Sequence, residues 1–341
     1  MKTIAIMNNK GGVGKTVTAI NLADILVADY KQRVVLVDCD GQANLTRFFL
    51  PGADKLELTT TADVLRGDCE PLWSDNLVPV RPGLDLLPSS SDLYELDLQA
   101  IKDGVSAPER LRHFAEAAAA DSEVDWMIFD CPPGYTLASV AALLSVREVM
   151  IPALADKFSL DGVFAVTAQL RGLSAACPGL RSRVLLTQTR SAEVVGECER
   201  LLRSQRVPLY RTKIRRTDKV PESTVTLSPM REYSPRSSAA VDYRCLAGEL
   251  MEEGLQWRAK SLTSRSLRRR CPRPCPNRAH GSRSNTSTRQ SSAATAKTST
   301  AWRALRPSRK TSSWSDCSSR CVFALTPMTR AATSWSAVTG A

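Results

Sequence analysis

The chain has 341 residues, 43% hydrophobic and 24% charged, with a formal net charge of +11. Residues 258–341 carry 17 Lys and Arg against a single acid, Asp316, so residues 1–257 sum to −5. The basicity therefore belongs to the C-terminal segment. Overall charge gives no ground for inferring a nucleic-acid function, and the remaining body is long enough to bury most of its apolar surface.

Taken in chain order, the apolar run Thr3–Met7 predicts a strand and the spacing of Ala19–Leu26 a helix. Further strands are expected at Arg33–Val37, Leu84–Leu87, Trp126–Phe129, Val149–Leu154, Val184–Leu186 and Leu209–Ile214. Helical spacing recurs at Pro108–Ala120, Leu160–Leu173 and Ala192–Ser204, and Ser237–Glu253 reads as a closing helix. Alternating strands and helices imply an α/β fold: a doubly wound, mostly parallel sheet with helices on both faces, whose ligands sit beyond the carboxyl ends of the strands. No long apolar leader follows Met1. No uncharged stretch reaches the ~18 residues of a membrane span, since Arg147 and Glu148 cut the most apolar run, Ala141–Ala155. The body's six cysteines (39, 69, 131, 177, 198 and 245) lack paired spacing, as expected of reduced cytosolic thiols. Cys39 and Cys131 are expected to fill core space beside the motif carboxylates.

Between the first strand and helix lies Asn8-Asn9-Lys10-Gly11-Gly12-Val13-Gly14-Lys15-Thr16. Glycines there let backbone N–H groups close round phosphates, and the following helix N-terminus adds its positive dipole. Lys10, Gly11, Gly12, Val13, Gly14, Lys15, Thr16 and Val17 are the expected nucleotide-binding residues. Lys15 would reach the β- and γ-phosphates, and the Thr16 hydroxyl would sit on Mg²⁺. The strict pattern G-x-x-x-x-G-K-[ST] is not met, because Asn9 stands at its first glycine and Lys10 heads the loop. Asp38 and Asp130, each ending an apolar strand, are placed to hold the metal shell. Asp40 stands where it would orient or activate the attacking water, or else cap the following turn.

The loop resembles the deviant Walker A motif of the ParA/MinD family of ATPases. Val34–Thr46, with Asp38-Cys39-Asp40-Gly41-Gln42-Ala43-Asn44, is similar to that family's switch segment, and Trp126–Pro133 to its Walker B strand. Thr212–Arg216 and Ser234–Ala247 are similar to the ParA, or Soj, branch, so the resemblance covers about residues 1–254. It implies ATP and Mg²⁺ as ligands, and a catalytic set of Lys10, Lys15 and Asp40 in which Lys10 reaches the partner's phosphates across an ATP-dependent homodimer. It further implies non-specific DNA binding through Arg190, Arg215 and Arg216, and stimulation of hydrolysis by a ParB-like centromere-binding protein. A cytoplasmic, nucleoid-associated protein with no membrane contact is expected. Gly41 replaces the family's usual Pro and Ala43 its usual Gly, which is expected to loosen one switch residue and stiffen the other. The short N-terminus argues against an added helix-turn-helix domain. Two rival readings are a membrane-cycling ATPase like MinD and a nucleotide-gated DNA scaffold with negligible turnover.

Residues 255–341 are expected to form a separate basic, low-complexity tail, rich in Arg, Ser, Thr, Ala and Pro and without sustained periodicity. Three readings stay open: a disordered basic arm, a basic amphipathic helix starting at Leu255, Trp257, Leu262 and Leu267, or out-of-frame translation of the gene. Cys271/Cys275, Cys317/Cys321 and His280 superficially suggest zinc, but the spacings are unusual for such a site.

Overall fold

The computed structural model describes residues 1–103, 107–121, 123–173 and 177–268. Chain order runs β1 (Lys2–Ile6), α1 (Lys15–Ala28), β2 (Val34–Asp38), α2 (Asn44–Phe49), α3 (Thr61–Arg66), β3 (Val78–Arg81), β4 (Leu84–Leu87), α4 (Asp92–Asp103) and α5 (Glu109–Ala120). It continues through β5 (Trp126–Asp130), α6 (Leu137–Ser145), β6 (Glu148–Leu154), α7 (Lys157–Gly172), β7 (Arg181–Thr187), α8 (Ala192–Ser204), α9 (Lys219–Val225), α10 (Met230–Tyr233) and α11 (Ser238–Arg268).

The strands form one seven-stranded sheet in the order β3-β4-β2-β5-β1-β6-β7, parallel throughout except for β3, which runs antiparallel to β4 at the edge. The central strands are apolar on both sides because helices cover both faces. In β1, Ala5 joins the core under α5, α6 and α7, while Ile4 and Ile6 join the core under α1 and α11. Helix α1 is buried almost all round, between the sheet and α11, and even its polar Thr18, Asn21 and Asp24 are internal. Each has a partner. Tyr243 meets Thr18, Met230 N–H donates to Asn21 Oδ1, and Arg81 and Arg231 flank the Asp24 carboxylate.

The strand expected at Leu209–Ile214 forms a single isolated bridge to β7, Leu209 with Val184, and a second bridge joins Arg215 to Thr189 just beyond both segments. Tyr210 and Ile214 N–H still donate to Val184 and Leu186 of β7. The buried Glu249 carboxylate of α11 instead accepts from Arg211 N–H, Thr212 N–H and the Thr212 hydroxyl, drawing the middle of the segment off the ladder. Helix α11 begins where the closing helix was expected and runs on to Arg268. The rest of the expected tail, with its cysteines and His280, lies outside the described residues. Among the described residues no helix is long and apolar enough to cross a membrane.

Candidate nucleotide site

Register brings the site together. Asp38 pairs with Asp130 across β2 and β5, and Asp130 with Ile6 across β5 and β1, so both acids and the start of the glycine loop lie on one line at the carboxyl edge. Gly12 and Gly14 have φ of +72° and +91°, a backbone that L side chains rarely adopt, and the turn delivers Lys15 as the first residue of α1. A Cβ built on Gly11, Gly12 or Gly14 would meet nothing within 4 Å. The loop therefore encloses open space lined by its own backbone, as an incoming phosphate chain requires.

Lys15 Nζ donates to the carbonyls of Asn8 and Lys10, each at 3.2 Å. Burial lowers its pKa, against the pull of Asp130 and Asp40. Buried Asn8 fixes the loop's entry, donating to Pro152 O at 2.6 Å and accepting from Lys10 N–H at 3.0 Å. Two residues that sequence reasoning missed fasten its other side. The Thr187 hydroxyl donates to Val13 O at 2.8 Å, and Gln188 Nε2 to Gly12 O at 2.8 Å. Thr187 ends β7 and Gln188 follows it at φ 51°. A polar pair at a strand end was the available signal, but its target 174 residues upstream was not.

Lys10 is half-exposed and turned onto the start of α7. Its Nζ donates to Ser159 Oγ at 2.8 Å and lies 3.5 Å from Asp156, which caps that helix by accepting from Ser159 N–H. Ser159 Oγ in turn donates to Asp156 at 3.0 Å. In the single chain, the second lysine of the loop is thus held by its own helix cap.

The two strand-end carboxylates differ. Asp130 is 1% exposed, and neither of its oxygens has a hydrogen-bond partner. Burial and then the nearby Asp38 charge push its carboxyl well above the usual range, opposed by the Thr16 hydroxyl, which lies close without making a bond of normal geometry, and by Lys15. Asp38 is equally buried but fully engaged: Oδ2 accepts from Thr46 N–H and Thr46 Oγ1 at 2.9 and 2.7 Å, and Oδ1 from Asp40 N–H at 3.1 Å. Burial outweighs these bonds and pushes its carboxyl up to about 6. Asp40 Oδ1 accepts from Gln42 N–H at 2.9 Å, the capping geometry set against a water-orienting role. Cys39 and Cys131 are buried beside these acids, and contact with Cys131, together with burial, pushes the Cys39 thiol well up.

Among the described residues no group of three or more His, Cys, Asp or Glu could hold a metal by itself. What the edge offers is one buried carboxylate with two unpartnered oxygens, beside a second acid and the Thr16 hydroxyl. That donor set fits Mg²⁺, which keeps several waters and takes one or two carboxylates together with substrate phosphates. The open loop and Lys15 fit the phosphates.

Of the expected DNA residues, Arg190 and Arg215 line a groove of about 510 Å³ with Lys213 at the start of α8. Arg190 makes no ion pair among the described residues. The Arg215 guanidinium is paired with the two oxygens of Asp242, whose Oδ2 also accepts from Arg215 N–H, so much of its charge is met within the fold. Arg216 is exposed and lies outside this groove.

The AAA domain family matches residues 1–178. The sporulation initiation inhibitor protein Soj of Bacillus subtilis is 30% identical over 74% of this chain and 99% of its own length. The chromosome-partitioning ATPase Soj of Thermus thermophilus is 33% identical over 74% of this chain and 96% of its own length. Among solved structures, the septum site-determining protein MinD of Pyrococcus horikoshii, complexed with Mg-ADP, superposes with a TM-score of 0.59 at 25% identity, covering 73% of this chain and 95% of that one.

Proposed function

The chain belongs to the ParA/Soj family of P-loop ATPases, and from that premise we propose that it is a DNA-partitioning ATPase that dimerises on ATP, coats DNA without sequence preference and hydrolyses ATP when a ParB-like partner engages it. ATP and Mg²⁺ are the ligands of its site. The observation that carries the reading is the pair of unpartnered Asp130 oxygens, facing an open glycine loop headed by Lys10 and closed by Lys15.

In this reading Lys15 leaves the carbonyls of Asn8 and Lys10 for the phosphates, and the loop N–H groups complete their cradle. Thr16 and Asp130 hold the metal shell, with Asp38 behind them. Mg²⁺ supplies neutralisation of the charge that develops on the phosphate oxygens. Asp40, held in its turn by Gln42 N–H, orients the attacking water. Lys10 exchanges the Ser159–Asp156 cap for the partner's phosphates. Supporting the dimer, Phe158 next to that cap is 81% exposed, an apolar side chain at the point where a second copy would meet it. Positioning and charge are the main protein contributions to phosphoryl transfer, and a cation supplied in trans is worth ~10³–10⁵ in rate.

DNA contact is assigned to Arg190 and Arg216, with Arg215 subordinate because Asp242 competes for it. The test is phosphate release with DNA and the ParB-like partner added separately and together. Turnover that rises most with both supports the proposal; turnover indifferent to DNA opposes it. A chain ending at Glu253 should keep ATP-dependent DNA binding, with at most a modest loss of salt slope, since each neutralised phosphate contributes about −0.9. The continuation of α11 to Arg268 gives the MinD-like reading one observation of its own. ATP-dependent sedimentation with anionic liposomes would favour it.

A further inference from the structure

Gly41, which stands where the family usually has Pro, is buried, and its φ lies outside the left-handed region, so no backbone demand explains it. A Cβ at this position would lie 2.8, 2.9 and 3.1 Å from three ring atoms of Tyr94. Real Cβ atoms essentially never come within 3.0 Å of another side chain, so a methyl group here would require the Tyr94 ring to move. The Tyr94 hydroxyl accepts from Gln42 Nε2 at 2.7 Å, so ring and hydroxyl grip two successive switch residues.

The ring is 42% exposed, and the helix that carries it is anchored. Tyr94 lies in the first turn of α4, whose Leu93 and Leu96 are buried in the core. Arg66 meets Asp92 and Glu95 of the same helix, and Asp97 Oδ1 accepts from Leu137 N–H at 2.7 Å. From the other side, Ser89 Oγ donates to Asp40 O at 2.8 Å. The Asp40–Gln42 turn is thus pinned between α4 and the end of β4.

We propose that Tyr94 is a positioning residue for the switch segment, fixing the turn that aims Asp40, and that Gly41 is glycine because this ring occupies the space a side chain would need. Position 41 then has no room for a side chain in this chain, although glycine there replaces the family's usual Pro. Tyr94 acts through Asp40 and touches no phosphate. The kinetic half of the proposal rests on the ATPase reading; the steric half does not.

The test is a cycle of Gly41→Ala, Tyr94→Ala and the double variant, with Tyr94→Phe as control, in the full-length protein. Without nucleotide, Gly41→Ala should lower the thermal midpoint in the wild-type and Tyr94→Phe backgrounds and cost little or nothing in the Tyr94→Ala background. If Gly41→Ala alone does not fold, recovery of folding in the double variant supports the steric claim equally. An equal cost in both backgrounds, or none in either, overturns the steric claim. In turnover, Tyr94→Ala should reduce kcat about tenfold or more at unchanged ATP affinity, because ~1 Å of misplacement can cost about a hundredfold. Tyr94→Phe should lie between the two. An unchanged kcat in Tyr94→Ala overturns the positioning role. Wild-type protein that shows no turnover under any condition would refute the ATPase reading and leave the thermal cycle to decide the pairing.

Discussion

The loop after β1 and the segment after β2 both leave the sheet at its carboxyl edge, and both turn on glycine, three in the first and one in the second. They are packed in opposite ways. In the first, glycines permit positive φ and surround open space; in the second, Gly41 lies under an aromatic ring, and Ala43 takes φ 52° although it carries a side chain. The carboxylates follow the same division. Asp130, beside the open loop, is unpartnered, whereas Asp38 holds Thr46 and Asp40 of its own segment. A phosphate site needs unmet donors and acceptors awaiting ligand, while a segment that aims a catalytic group needs a well-made conformation to hold it. Residue type alone does not separate the two; what each glycine or acid touches does.

The largest expected effect would break this contrast if it failed. Asp130→Asn removes a buried charge that has no partner, so the nucleotide-free protein should gain about 1–3 kcal/mol while Mg²⁺-dependent nucleotide binding is lost. Thermal unfolding with and without Mg²⁺·ATP reads both. Asp38→Ala should change stability little without ligand, because loss of the bonds from Thr46 and Asp40 is offset by relief of the burial that raises its carboxyl to about 6. An equal gain in the two variants would mean that the two edges are not built differently.

A smaller effect sharpens the description of the switch. Ala43 is the left-handed residue at the start of α2, so Ala43→Gly should stabilise the ligand-free fold by up to about 1 kcal/mol, a rise of about 2–4 °C in melting temperature. No gain would mean that the surrounding contacts already absorb the strain.

The parallel sheet, the glycine loop and the two strand-end acids were legible because each is a local signal: an apolar run followed by a fixed spacing. Asp130 also announced its partnerless role indirectly, as an acid after four apolar residues. Helices α2, α3, α4, α6, α9 and α10 and the edge strand β3 were not read, being short or weakly patterned; α3 and α6 are started by Thr60–Asp63 and Thr136–Ser139 capping boxes. The segment 209–214 has strand composition, yet the buried Glu249 carboxylate from α11 takes two of its N–H groups, a competition invisible along the chain. The same holds for Thr187 and Gln188 on the loop and for Tyr94 over Gly41. These contacts join residues 53 to 176 positions apart. Arg215 shows the converse, since an exposed arginine in the sequence proves to be paired with Asp242 in the fold.

The two lysines of the loop decide the central claim, because Lys15 lies on the loop's own carbonyls while Lys10 is turned toward the cap at Asp156 and Ser159. Nucleotide affinity and oligomeric state should be measured together for Lys15→Ala and Lys10→Ala with Mg²⁺·ATP, set against wild type. The expected result is that Lys15→Ala loses nucleotide, whereas Lys10→Ala binds ATP as wild type does yet forms no dimer and does not turn over. Equal loss of ATP affinity in both variants, or an intact ATP-dependent dimer in Lys10→Ala, would contradict the account.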